Sequence, residues 1–505
     1  MALRAVVIGA GFGGLAIGIR LQARGFRVTI LDKQPQPGGH AGQLRKDGYT
    51  FDMGPSLITA PELLDELFAL AGRRREEALP LVALDPYYRI LFHDGTHVDY
   101  TGDTERMREQ IARLCPEDAR QYDHFLKRSR QFYEAVITEG LGARPFGWAE
   151  LLRFLPRALR LGALRSAYGL AAQYFRDERV RFVFSFHPLF IGGNPFRAPA
   201  VYQMIPYLEK QGGVWYAPGG MHAVVQALAR LFASLGGELR LGVEAEEILV
   251  RNGRAVGVRA EDEVLEADVV ISNADFLHTY GKLIRPEHRR RWHDGRLRRL
   301  RYSMSAFLLY LGLRRQYPER LLHHTIALSA RYRGLVEDIF VRKVLPEDVS
   351  LYLHAPTRTD SSMAPEGGES LYVLAPVANL QSGIDWECEA LRYAERILAF
   401  LEERVGLSGL RDAVVVRELF TPLDFLRRRN CTYGAAWGVE PVLWQTAVFR
   451  PHNRSEDVAR LYLVGASTHP GAGVPGVLLG AKATERAIFQ DLGLPVPQGP
   501  VPVEA

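Results

Sequence analysis

Gly9, Gly11 and Gly14, followed by Asp32, stand at the spacing that holds a dinucleotide. The first glycine permits a tight turn, the second lets a pyrophosphate approach the backbone, and the third lets the next helix pack closely on a sheet. The amino end of that helix then faces the phosphates with free N–H groups and a favourable dipole. A carboxylate at Asp32 can accept both ribose hydroxyls of an adenosine and repels the extra phosphate of NADP. Near the other end of the chain, Leu461–Val464 and the run Gly465-Ala-Ser-Thr-His-Pro-Gly-Ala-Gly-Val-Pro-Gly476 form a second strand and glycine turn. Two such turns, one at each end, imply a dinucleotide gripped by segments that the fold must bring together.

The elements that position these residues follow from pattern. Ala5–Ile8 reads as a strand, Leu15–Arg24 as the helix after the turn, and Arg27–Leu31 as the second strand, ending at Asp32. Tyr87–Phe92 and Thr96–Tyr100 flank Asp94-Gly95 and predict a β-hairpin. From Asp103 to about Gln211 the pattern is mainly helical, broken at Pro116, Pro145, Pro156 and Pro188. A helix after Gly219-Gly220, the strand Glu238–Val243, a hairpin at Asn252-Gly253 and the strand Ala267–Ser272 read as a return to the nucleotide domain. Ser305–Leu313, Leu351–Leu353 and Leu371–Val377 predict another sheet, followed by the helix Trp386–Val405. A helix over Pro475–Asp491 carries proline at its favoured start, and the Pro-rich tail from Leu494 is expected to be disordered.

Composition limits the function classes. The chain has 505 residues, 47% of them hydrophobic, enough for two or three domains. Cys115, Cys388 and Cys431 form no CxxC pair and no disulfide framework, which fits a reducing cytosol. The apolar start is explained by its glycine spacing rather than as a signal peptide, and no uncharged apolar stretch approaches the ~20 residues of a membrane span. A two-nucleotide disulfide reductase needs a second mid-chain GxGxxG and a redox cysteine pair; both are missing, so NAD(P)H is not expected as a routine partner. No HExxH run or Cys/His cluster appears, His323-His324 reads as a strand-end pair, and no metal is expected.

Net charge is only +5, yet the basic residues are uneven. Leu151 to Phe175 contains no acid, while Arg153, Arg157, Arg160 and Arg165 interleave with apolar residues. This suits the surface of an anionic bilayer, and it equally suits a solvated helix bundle. The cluster Arg289–Arg291 with Arg296, Arg298, Arg299 and Arg301 lacks the aromatic interleaving of a nucleic-acid platform, so no nucleic acid is expected.

Five blocks, PGGHAGQLRKDGYTFDMGPSLIT (37–59), FSFHPLFIGGNPF (184–196), SLYLHAPTRTDSSMAPEG (350–367), EPVLWQTAVFRPHNR (440–454) and LYLVGASTHPGAGVPGVLLGAKAT (461–484), resemble bacterial phytoene desaturases of the CrtI type. These carotenoid oxidoreductases have an amine-oxidase-like flavoprotein fold. The resemblance implies an α/β protein: a Rossmann-type FAD-binding domain (1–84, 215–298, 455–493), an interleaved mixed-sheet substrate domain (85–102, 299–454) and a helical membrane-facing cap (103–214). It implies non-covalent FAD and desaturation of 15-cis-phytoene toward lycopene, by hydride transfer to flavin and proton loss. The polyene would come from the membrane, the enzyme would sit in the cytoplasm on the inner face of the cell membrane, and oxygen or a quinone would reoxidise the flavin. Alternatives are another polyene flavoenzyme (a different carotenoid desaturase, an isomerase or a saturase) or a non-catalytic prenyl-lipid-binding protein.

By the same resemblance, Gly38, Gly39, Gly54 and Pro55 line the pyrophosphate and flavin, Val243 holds adenine, and Gly465, Gly473 and Val474 complete the site. The helix at Pro475 would lie near the flavin pyrimidine, where its dipole stabilises the reduced anion. His40 replaces an arginine common in the family, so a fixed charge at that position is in doubt. Glu150 and Arg153 match an acid-x-x-Arg pair and are the candidates for acid–base work, although such spacing is also that of a surface ion pair. His187 would line the substrate path or be a hydrogen-bonded core histidine.

Overall fold

A computed structural model describes residues 2–497, and the expected disorder of the tail falls largely outside them. The strands Arg4–Ile8, Arg27–Asp32, Glu238–Leu241, Val269–Ser272 and Leu461–Leu463 form one five-stranded parallel sheet. Its order runs from Leu461–Leu463 through Val269–Ser272, Arg4–Ile8 and Arg27–Asp32 to Glu238–Leu241. Arg4–Ile8 and Val269–Ser272 lie inside the sheet and are buried at nearly every position, as the near-continuous β-branched runs require. Helix Phe12–Ala23 is apolar almost all round because it is covered by the sheet and by helices Met221–Ser234 and Val474–Leu492.

One buried ion cluster ties the chain's ends together. Arg20 donates to Glu66 at 2.7 Å and to Glu485 at 3.0 Å, and Lys482 donates to Glu66 at 2.8 Å. Three helices distant in sequence are therefore locked by charges that compensate one another.

A seven-stranded mixed sheet stands beside the first. Ser305–Leu313 lies between Val414–Phe420 and Glu369–Val377, and the order continues through Leu351–His354, His324–Ala327, Tyr88–Leu91 and His97–Tyr100. All pairings are antiparallel except that of His324–Ala327 with Tyr88–Leu91. Helix Trp386–Phe400 covers one face through Trp386, Tyr393 and Ile397. Helices at Thr104–Leu114, Pro116–Tyr133, Trp148–Leu161 and Ile205–Gly212 lie in the stretch read as helical. The helix predicted over Trp386–Val405 changes to a π-helical turn at Leu401–Val405, and the strand predicted over Glu238–Val243 stops at Leu241. The turn after it includes Gly242, whose φ is +75°.

Candidate functional site

At the nucleotide end, close backbone approach explains the residue types. A side chain at Gly14 would place its Cβ 1.9 Å from the carbonyl oxygen of Gly9, and one at Gly11 would lie 2.8 Å from Asn273 Oδ1. Gly38 has φ +122° and donates its N–H to Ala10 at 2.8 Å, which seats the second loop beside the first turn. Asp32 is buried; Oδ2 accepts from the Ala10 N–H at 2.8 Å and Oδ1 from the Gln34 N–H at 2.8 Å. Each oxygen keeps a lone pair for a ribose hydroxyl. The Val243 N–H is used by the Asp32 carbonyl at 3.0 Å, so the Val243 carbonyl is the backbone group left to meet an adenine.

Gly9, Gly11, Asp32, Gly38, Gly39, His40, Gly54, Pro55, Val243, Gly465, Gly473 and Val474 all line one cavity, and Gly14 packs directly behind Gly9. Gly11 and Gly473 are the N-caps of helices Phe12–Ala23 and Val474–Leu492, so two helix amino ends open on the same space. Bare backbone, two helix amino ends and a carboxylate suited to ribose fit a dinucleotide. The helix predicted to start at Pro475 starts at Val474, with proline at its second position.

His40 carries no fixed charge. Burial, with Arg429 close by, holds its imidazole down at about 4, and its Nε2 lies 3.4 Å from the Cys431 thiol. Arg429 is the cation beside His40, and it lines the cavity together with Arg428 and Lys33. Sequence reasoning missed both, because they lie in the unmarked run Leu426-Arg-Arg-Arg429. Only the docking of that segment against Met53 and Gly42 brings Arg429 to the site.

The cavity continues between the helical region and the mixed sheet, where Phe186, Phe190, Met204, Tyr332, Leu335 and Ile339 line it. One carboxylate interrupts this apolar wall: Glu209, buried, accepts from the Tyr88 hydroxyl at 2.8 Å. His187 Nε2 lies 3.1 Å from the same hydroxyl and 3.4 Å from Glu209. His187 is thus the hydrogen-bonded core histidine, standing behind the wall, while Glu209 is the residue that reaches the cavity. No motif marks Glu209 in the sequence.

The expected acid–base pair, Glu150 and Arg153, lies apart from these residues. Glu150 spends its carboxylate on the N–H of Gly147, 3.0 Å away, capping helix Trp148–Leu161. Arg153 is exposed on that helix, and neither residue lines the cavity. Their spacing starts a helix, with Glu150 at its third position. The histidine pair also needs an addition: His324 opens the strand His324–Ala327, and His354 of the neighbouring strand lies directly opposite it.

Residues 12–488 match the family of flavin containing amine oxidoreductases. The chain is 44% identical to the lycopene-forming phytoene desaturase of Pseudescherichia vulneris, over 97% of this chain and 99% of that protein. It is equally 44% identical to the neurosporene-forming phytoene desaturase of Rhodobacter capsulatus, over 94% of this chain and 92% of that one. Among solved structures, an oxidoreductase from Methanosarcina mazei superposes with a TM-score of 0.65 at 20% identity, covering 97% of this chain and 100% of that one.

Proposed function

The chain belongs to the flavin containing amine oxidoreductases and, within them, to the bacterial phytoene desaturases, and from that premise we propose that it carries phytoene toward lycopene. It is an FAD-dependent oxidoreductase of carotenoid desaturation. The observation that carries the reading is the single cavity that joins the dinucleotide glycines to an apolar chamber.

FAD would be held by the two glycine turns, Asp32, the Val243 carbonyl and Arg429, and when bound it supplies the acceptor for a hydride. The chain's own work is positioning and drying. Phe186, Phe190 and Ile339 exclude water from the reacting carbons, so that charge developing there is felt strongly. After hydride loss the neighbouring C–H is very acidic, and a weak base suffices. Glu209 can hold that proton on a carboxylate oxygen, steadied by the Tyr88 hydroxyl. Arg429 adds the fixed positive charge that His40 lacks.

Delivery of the substrate supports a membrane partner. At about 0.8 kcal/mol per buried CH2, a forty-carbon hydrocarbon in water is disfavoured by on the order of 30 kcal/mol, so it must pass directly from bilayer to protein. Trp148, Leu152, Leu159 and Leu164 are exposed apolar residues on or just after one helix, and Leu443, Trp444 and Phe449 are exposed on a second segment. The Trp148 and Phe449 rings meet edge to face at 5.6 Å, which joins the two into one apolar patch beside Arg153 and Arg160. No helix among the described residues is long and apolar enough to cross a membrane; the proposed association is peripheral, on the cytoplasmic face of the cell membrane, with oxygen or a quinone as final electron acceptor.

The test is anaerobic incubation of the FAD-loaded protein with phytoene-bearing liposomes, following the visible flavin band and the extracted pigments. Bleaching with appearance of the lycopene chromophore is the expected result. A shorter conjugated product would leave the desaturase reading but reject lycopene, and a colourless extract with oxidised flavin, with and without a quinone, would reject phytoene as substrate.

A further inference from the structure

Behind the cavity wall the mixed sheet gathers three histidines. His324 and His354 are partners in the register of strands His324–Ala327 and Leu351–His354, and His323 immediately precedes the first strand. All three are buried. His323 Nε2 and His354 Nε2 lie 3.2 Å apart, and one ring nitrogen of each histidine lies within 4.8 Å of the others.

The hydrogen bonding around them is incomplete. Outward, His323 Nδ1 is 2.7 Å from the Thr359 hydroxyl and His324 Nδ1 is 2.7 Å from the Tyr352 hydroxyl. His324 Nε2 and His354 Nδ1 have no partner, although both atoms are fully buried. Buried polar atoms are rarely left so; one ion can take His324 Nε2 together with the Nε2 atoms of His323 and His354, leaving His354 Nδ1 as that ring's remote nitrogen.

We propose that His323, His324 and His354 bind one divalent first-row cation of the zinc type, leaving a fourth position for water. Two nitrogens on a tetrahedral zinc ion at about 2.0–2.1 Å are themselves about 3.3 Å apart, which the His323–His354 pair already meets. Closing the longest of the separations takes side-chain rotations that shorten it by about 1.5 Å, toward the same ligand spacing. The remote nitrogens of His323 and His324 are fixed by hydroxyls, as second-sphere partners fix metal-bound histidines. Imidazole alone, with no thiolate, suits zinc, nickel, cobalt or copper rather than calcium or magnesium.

The ion would clip two strands that form part of the substrate wall. Tyr352 lines the cavity, and its hydroxyl is 2.6 Å from Ser56 Oγ, one residue past Gly54-Pro55. Tyr372, which also lines the cavity, has a buried hydroxyl without a partner and a ring 6.3 Å from that of His354. The positive charge thus sits one hydrogen bond behind the wall and stiffens it without touching substrate.

The inference does not depend on the identity of the substrate and is tested without it. Untagged, FAD-loaded protein, dialysed and then given one equivalent of Zn2+, would be measured for metal by mass spectrometry and for coordination by zinc K-edge absorption. One zinc per chain in a nitrogen and oxygen shell with imidazole scattering is expected, falling more than tenfold in H354Q and in H324Q while the flavin spectrum persists. Wild-type protein that retains less than a tenth of an equivalent overturns the proposal and leaves a hydrogen-bonded histidine stack. So does zinc retained without imidazole scattering, or retained unchanged in both variants; the wild-type readings decide even if a variant fails to fold.

Discussion

At the nucleotide end of the cavity a ligand meets backbone, with glycines at 9, 11, 38, 39, 465 and 473 and two helix amino ends, whereas at the apolar end it meets side chains from separate elements. The first end is specified by what must be missing, a Cβ, and tolerates almost no change. The second is specified by volume and polarity, which many residues can supply. The same cavity therefore has one end whose residue types are narrowly set by backbone approach and another whose lining can vary.

The contrast is broken most severely at Gly14. In G14V the new side chain meets the Gly9 carbonyl, and relief requires the turn to open. An overpacking cost of about 3 kcal/mol corresponds to about 150-fold weaker FAD binding, so the protein should purify colourless; a normal flavin spectrum would refute the close approach. D32A comes next. It removes the acceptor for the Ala10 and Gln34 N–H groups, at about 1–3 kcal/mol, and should weaken FAD binding by about 5–150-fold in a titration of apoprotein.

At the adaptable end, E209Q should keep its flavin and lose about tenfold in kcat, a modest fraction of the usual contribution of general bases, because the proton is acidic. An unchanged kcat in single-turnover bleaching would remove Glu209 from the reaction. A pH experiment probes the loop between Leu461–Leu463 and the last helix. Burial, with Arg450 close by, holds His469 at about 4 instead of 6.5. The unfolded chain therefore takes up a proton that the folded one refuses, and stability falls as pH drops from about 6.5 to about 4, then levels. H469N should remove about 1 kcal/mol per pH unit of that slope in denaturant melts, and equal slopes would show that other groups set it. The smallest effect concerns the surface: replacing Arg153 and Arg160 with Gln should weaken liposome binding about fivefold each at low salt, from about 1 kcal/mol per arginine. Binding that is insensitive to both would move the membrane face elsewhere.

Legibility followed the same division. Gly9, Gly11, Gly14 and Asp32 lie within one βαβ unit, where a turn dictates its residues locally, and the parallel sheet could be assembled from its strands. Arg429, Glu209 and Tyr352 carry no local signature, since each owes its position to contacts across the fold. For Glu150 and Arg153, an acid three residues past a helix start has a local use, capping, that spacing cannot distinguish from catalysis. His323-His324 was legible as a strand end, but its approach to His354 depends on register between strands.

The place of Leu461–Leu463 at the edge of the parallel sheet has a consequence for the order in which a ribosome makes the protein. Strand Arg4–Ile8 emerges first, while the strand and helix that complete its cofactor grip are made last, roughly 20–90 s later at about 5–20 residues per second. A nascent chain therefore holds half a grip throughout its synthesis, with Val269–Ser272 an unpaired apolar edge and Arg20 lacking Glu485. A chain released before residue 461 would lack both that strand and that helix, and is expected to purify without flavin colour.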